Sequence, residues 1–251
     1  MSVVAVIQAR FGSSRLPGKV LEDVGGRPML EKVIQRVFRA TSVDDVIVAT
    51  TDSVTDDSVS AVARGVGATV HRGSTLDVLD RFKTAIGLYD DADLVVRVTA
   101  DCPFVDPGLI DDAVAKLRST DADFVANRLP PPFARTYPVG LDVEVTTAAA
   151  IRCAWREATE PHQREHVMPY LYDPPGRFRV SILDLAEDLS NFRWTVDTRA
   201  DLLAVRALAE VVGPEPFSWR DVLAQARKCP AIGRLNAREV QKGLRVTDER
   251  W

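Results

Sequence analysis

Three cations, Arg10, Arg15 and Lys19, lie within ten residues of the stretch IQARFGSSRLPGKVL, interleaved with Gly12, Ser13, Ser14 and Gly18. Small residues let backbone N–H groups approach a ligand, while guanidinium and ammonium groups supply charge. That combination suits an anion, and above all a polyphosphate. Two familiar phosphate loops fail the test of spacing. A P-loop has four residues between its first glycine and its Gly-Lys pair, but here five separate Gly12 from Gly18-Lys19, and Val20 stands where the magnesium-binding Ser or Thr belongs. No G-x-G-x-x-G is present either. What remains is a loop that neutralises an extended polyphosphate through its side chains, with a solvated basic turn as the bland alternative.

Two carboxylates extend this chemistry. Asp101 ends the apolar run of VTADCP, and Asp197 ends that of WTVDT. Either alone could cap a following helix as readily as bind a metal. Together, and with a polyphosphate loop upstream, they suit Mg2+, which takes one or two protein carboxylates and completes its octahedron with phosphate oxygens and water. The histidines, His71, His162 and His166, are scattered and form no triad. A substrate hydroxyl attacking phosphorus directly needs no protein nucleophile. A second cluster, Arg72, Gly73 and Ser74, could lie beside a nucleobase, or Ser74 or Thr75 could cap the helix that follows. Asp77 and Arg81 have the spacing of an i,i+4 ion pair. Further on, Tyr137, Asp142 and Glu144 in RTYPVGLDVEV, and Arg164, Glu165 and His166 in REHVMPYL, could line an acceptor pocket. Arg128 and Arg135 could hold an acidic group there or stand as surface cations.

The elements that must position these residues alternate in the first half. Strands are expected at 3–9, 45–51, 68–72 and 93–99, with helices at 28–40, 55–67, 75–89 and from Pro107 to about Leu117. Strands that are apolar throughout, separated by amphipathic helices, describe parallel β/α units with both sheet faces covered. In such a sheet ligands bind beyond the carboxyl ends of the strands, where the 10–19 loop, Asp101 and Asp197 all fall. Beyond residue 120 the order loosens. Strands are expected at 122–127, 141–146, 177–183 and 191–197, the last two as antiparallel additions. Helices are expected at 147–158, 161–172, 199–212 and 218–228, with a charged end, 236–251, that frays.

The chain has 251 residues, 46% of them hydrophobic, which is enough for one sizeable core. One domain is expected, with a nucleotide-binding half (about 1–125), an acceptor and dimerisation half (about 126–215) and a helical tail (216–251). The net charge of −4 argues against bulk nucleic-acid binding. Three scattered cysteines offer neither a disulfide framework nor zinc spacing, so a reduced, cytoplasmic setting is expected. No apolar run approaches the ~20 residues of a membrane helix.

The opening stretch, with GGRPML just after it, resembles the start of the CMP-sugar synthetases, the cytidylyltransferases that activate 3-deoxy-manno-octulosonate and sialic acids. It is closer still to the proteins named spore coat polysaccharide biosynthesis protein F. The likeness continues through IVATTD, RGSTLDVLDRF, VVRVTADCPFVDP, YPVGLDVEV, REHVMPYL and RWTVDT, and leaves out the last ~40 residues. The resemblance implies a three-layer, Rossmann-like nucleotidyltransferase fold of glycosyltransferase-A type, with a mostly parallel mixed sheet. It implies Mg2+-dependent transfer of CMP from CTP to a hydroxyl of a sugar acid or related acidic acceptor, with release of pyrophosphate. Arg10, Arg15 and Lys19 then clamp the triphosphate, with Gln8, Ala9, Gly12 and Ser13 beside them. Asp101 and Asp197 hold the metal, and Arg72, Gly73 and Ser74 read the base. Tyr137, Asp142 and Glu144 face the acceptor, and the molecule is a homodimer. Two rivals stay open at this point. A glycosyltransferase of the same fold would carry D-x-D after a central strand, whereas DAD here precedes strands, at 91–93 and 121–123. A non-catalytic nucleotide-binding subunit would have no need of both the clamp and the metal pair.

Overall fold

The structure, a computed structural model, describes residues 1–131, 133–241, 243 and 245–247. A strand whose run from Val3 to Ile7 is apolar throughout cannot face water on either side, and Val3–Gln8 (β1) lies in the middle of the sheet. Val3, Ala5 and Ile7 enter one core and Val4 and Val6 the other. The next units are Met29–Val37 (α1), Asp45–Thr51 (β2), Asp57–Gly65 (α2), Thr69–Gly73 (β3), Val78–Ala85 (α3), Leu94–Thr99 (β4) and Pro107–Ser119 (α4). They match the expected alternation, with the first three helices shorter than expected and α4 running on to Ser119. Pro28, for example, is the residue that caps α1.

The second half holds Phe124–Ala126 (β5), Glu144–Thr147 (β6), Ala148–Glu157 (α5), Pro161–His166 (α6), Pro169–Tyr172 (α7), Val180–Ile182 (β7), Arg199–Val212 (α8), Trp219–Lys228 (α9) and Pro230–Arg234 (α10). The strand order is β3-β2-β1-β4-β6-β5-β7, and β6 alone runs against its neighbours. α1, α2, α4, α8 and α9 cover one face, and α3, α5 and α7 the other.

Four expectations need correction. β7 pairs with β5 in parallel, not antiparallel. The helix expected over 161–172 breaks at Val167, whose φ of 70° takes the chain out of the helix and splits it into α6 and α7. The strand expected at 141–146 starts only at Glu144, because the Asn127 side chain bonds Leu141 O (2.7 Å) and Val143 N (2.9 Å) in place of a neighbouring strand. The 191–197 stretch joins no strand. It makes a single bridge, Val139 to Arg193, and then follows a loop. Of the charged end expected to fray, residues 242, 244 and 248–251 lie outside the described residues, while Gln241, Gly243, Val246 and Thr247 line a large cleft.

Candidate active site

The parallel pairing of β1 with β4 sets Gln8 opposite Thr99, so the loop after β1 and Asp101 after β4 leave the same edge of the sheet. Asp56 shapes that loop. Its carboxylate accepts from Phe11 N (2.6 Å) and from Thr51 N (3.0 Å), pinning the loop to the end of β2. Gly18 closes it, donating its N–H to Phe11 O (2.8 Å). Its φ is +74°, and a Cβ there would meet the Phe11 ring at 3.0 Å, so only glycine suits the turn. The Gly18 N–H is therefore spent on the loop itself and is not offered to a ligand. Gly12, Ser13 and Ser14 line the cleft.

Asp197 reaches the same place by a different route. Val139 N donates to Phe192 O (2.8 Å), Trp194 N to Val139 O (2.6 Å), and Val196 N to Asp101 O (2.9 Å). This close approach depends on Gly140, since a Cβ there would lie 2.4 Å from Thr195 N. The result is a junction of charges. The Lys19 ammonium donates to Asp101 Oδ2 (2.8 Å), Asp197 Oδ1 (2.9 Å) and Val196 O (2.8 Å). Arg15 stands 3.0 Å from Asp197 Oδ1, and Arg193 donates to Asp197 Oδ2 (3.0 Å). Neither aspartate is a helix cap, because Thr198 caps α8 and Asp106 caps α4. Burial works against charge on Lys19, but Asp101 and Asp197 outweigh it and hold the ammonium above its ordinary pKa. Burial likewise raises Asp101, and Lys19 outweighs it, leaving the carboxyl below the usual range.

The cleft over this junction encloses about 830 Å³. Its floor carries a polar chain in which Arg97 pairs with Glu144 and donates to Gln8 Oε1 (2.9 Å). Asp142 lines the wall and is held by Arg135 (2.8 Å). Arg128 also lines it, and its guanidinium makes no hydrogen bond or short ion pair among the described residues. Burial opposes its charge, yet Asp142 and Glu144 keep its pKa above the ordinary value. His166 bonds the Val246 backbone, and its Nε2 has no partner. Burial, then Arg97, pushes its pKa down to about 4, so it is neutral near pH 7.

Several expected residues stand elsewhere. Tyr137 is 6% exposed and packs on the Trp219 ring in the core, outside the cleft lining. Ala9 is buried, its N–H donating to Ala49 O (3.1 Å). Arg72 spends its guanidinium on Thr51 O, Ser53 O and Asp57. Ser74 Oγ accepts from Asp77 N (3.0 Å), and the cap of α3 is Asp77. None of Arg72, Gly73 and Ser74 lines the cleft. Asp77 pairs with Arg164, not Arg81, and Arg81 donates to Ser74 O (2.8 Å). The residues that sequence reasoning passed over are Arg97, Thr195, Tyr172 and the tail. The signal for Arg97 was present: one arginine within an otherwise apolar strand.

A junction of two carboxylates and a lysine, roofed by a cationic loop, is built for phosphate chemistry, and comparison with known proteins says which. The cytidylyltransferase family profile matches residues 4–210. The chain belongs to the cytidylyltransferase family. Spore coat polysaccharide biosynthesis protein SpsF of Bacillus subtilis is 34% identical over 221 residues, covering 85% of this chain and 89% of that protein. A 3-deoxy-manno-octulosonate cytidylyltransferase of Geobacter sulfurreducens is 30% identical, over 77% of this chain and 86% of its own. A cytidylyltransferase structure from Leptospira borgpetersenii superposes with a TM-score of 0.87 at 29% identity, covering 97% of this chain and all of its own. This cytidylyltransferase therefore has the nucleotidyltransferase fold and is a CTP-dependent nucleotidyltransferase. Both the glycosyltransferase and the non-catalytic reading fall away. No helix among the described residues is long and apolar enough to cross a membrane.

Proposed function

We propose that this cytidylyltransferase moves CMP from CTP to a hydroxyl of a sugar acid or related acidic acceptor. The observation that carries this reading is the convergence of Asp101 and Asp197 on Lys19 beneath the Arg10–Arg15 loop. The acceptor oxygen forms a bond to the α-phosphorus while the bond from that phosphorus to the bridging oxygen breaks, and pyrophosphate departs. Arg10, Arg15 and Lys19 neutralise the charge gathering on that leaving group. Asp101 and Asp197 are hard oxygen donors that could hold Mg2+, and a bound Mg2+ would screen the α-phosphate. No group of three or more acidic, histidine or cysteine residues among the described residues offers an alternative cage, which suits a metal completed by substrate oxygens.

An acidic acceptor is favoured by Arg128, a cation facing the cleft without a hydrogen-bond acceptor of its own. Neutral His166 lines the cleft with it. A pyrophosphate-release assay with CTP and Mg2+ over a panel of octulosonates, nonulosonates and their neutral reduced analogues tests this. Turnover is expected with an acid and not with its neutral analogue. Equal turnover of the two, or none with any acid, sinks the acceptor assignment.

A further inference from the structure

Away from the cleft, a second cavity of about 530 Å³ opens between α1 and the loop joining α8 to α9. Four cations line it, Arg27, Lys32, Arg36 and Arg39, against two anions, Glu210 and Glu215. The arginines are paired, although Arg39 Nε is buried without a partner among the described residues. Arg36 grips both Glu215 oxygens (2.7 and 2.8 Å) as well as Val105 O and Phe217 O. Arg39 shares Glu215 (2.6 Å), and Arg27 pairs with Glu31 outside the cavity (2.8 Å). Lys32 is not accounted for. It is 92% buried by its 8% exposure, and its ammonium makes no hydrogen bond or ion pair among the described residues. The nitrogen lies at the cavity wall, 3.5 Å from where a Cβ on Gly25 would stand, an ordinary contact distance.

The Lys32 side chain is buried, its ammonium faces the cavity without a protein acceptor among the described residues, and three guanidinium groups nearby make that charge harder to hold. Burial first, and then Arg36, Arg27 and Arg39 against the opposing pull of Glu215, lowers the Lys32 pKa. One compensating partner resolves the arrangement, an anion in the cavity that accepts from Lys32.

We propose that the cavity between α1 and the α8–α9 loop is a second anion site, which takes a phosphoryl group against Lys32, Arg36 and Arg39. The cavity exceeds what a lone phosphate needs, so it can hold either a free phosphate species or the phosphorylated end of a small metabolite. Both share the chemistry that Lys32 recognises.

The 251-residue chain carries six lysines, so labelling with 13Cε-lysine gives a countable spectrum. The Lys32 resonance is identified by its loss in Lys32→Met. Inorganic phosphate, pyrophosphate and a hexose phosphate are titrated separately with CTP saturating the main cleft. The Lys32 signal is expected to move and its pKa to climb, with at least a tenfold loss of affinity in Lys32→Met and Lys32→Gln while CTP binding stays within twofold. Tighter binding of the hexose phosphate would identify a metabolite as the source, and tighter binding of phosphate or pyrophosphate a free ion. Without anion, Lys32→Met should melt no lower than wild type, because it removes an uncompensated charge. A Lys32 signal unmoved by all three anions, or unchanged affinity in both variants, overturns the proposal. A clear fall in the melting temperature of Lys32→Met without anion does so as well, since it would show that the ammonium is already satisfied.

Discussion

At the scale of single residues, Lys19 decides how the site is read. One ammonium sits between the two carboxylates that could hold a metal, so Lys19 and a divalent cation compete for the same oxygens. Removing one member of a buried charge cluster typically costs about 3–5 kcal/mol, because the others are left unpaired. Lys19→Met is therefore expected to lower the melting temperature sharply, to lose most turnover, and to regain part of its stability when Mg2+ is added. Wild type should gain much less from Mg2+ alone. Melting curves with and without Mg2+ check this, and a variant that ignores Mg2+ would remove the metal from Asp101 and Asp197. His166 gives a separate residue-scale test. Its folded pKa of about 4 lies below the ordinary value of 6.5, so the unfolded chain takes up a proton that the folded one refuses. Stability from this group is fully present above pH ~6.5, falls as pH drops toward 4, and changes no further below that. His166→Gln should flatten the urea-midpoint profile within that window, and an unchanged slope would mean that His166 is not held neutral.

At the scale of elements, the division between what could and could not be read in the sequence is physical. β1, β2 and β4 declared themselves because both sheet faces are buried and their central positions are almost all apolar. The convergence of Asp101 with the 10–19 loop followed from those parallel strands. Asp197 was legible only as a carboxylate after an apolar run. Its delivery depends on backbone bonds between two loops, 137–141 and 192–196, that no periodicity reveals. The same is true of Tyr137, whose hydroxyl suggested a pocket but whose ring fills the core against Trp219. It is true again of the tail, where Gln241 accepts from Arg193 (2.9 Å), the arginine that steadies Asp197. Gly140 is the point on which these loops turn. With φ +102° and a hypothetical Cβ 2.4 Å from Thr195 N, Gly140→Ala must push the 193–197 segment away. A cost of about 3 kcal/mol is expected, the upper end for overpacking, with turnover falling further than stability predicts because Asp197 shifts. Denaturant midpoints alongside single-turnover rates would show it. Full turnover in the variant would mean that Asp197 does not need this delivery.

At the scale of the whole molecule, the sheet ties the halves together in an order the sequence does not follow. β6, from the second half of the chain, is inserted between β4 and β5, so the β4 edge of the first half is completed only by residues 144–147. Helix α4 belongs to the first half by sequence, yet shares a core with Val143 and Val145 from across the boundary. The cleft is likewise built from both, with Arg15, Lys19 and Asp101 facing Asp142, Glu144 and Asp197. A fragment ending near residue 125 would expose the edge of β4 and the underside of α4, an invitation to edge pairing and aggregation. The two halves are thus expected to unfold as one cooperative unit. Calorimetry should show a single transition, and CTP with Mg2+ should move all of it, by about 2.7 kcal/mol of stabilisation at a hundredfold excess over Kd. ATP at the same concentration should move it less. Two resolved transitions, with CTP displacing only the first, would show that the nucleotide half is stable alone. The interleaving of β4, β6 and β5 would then be docking between preformed units and not a shared core.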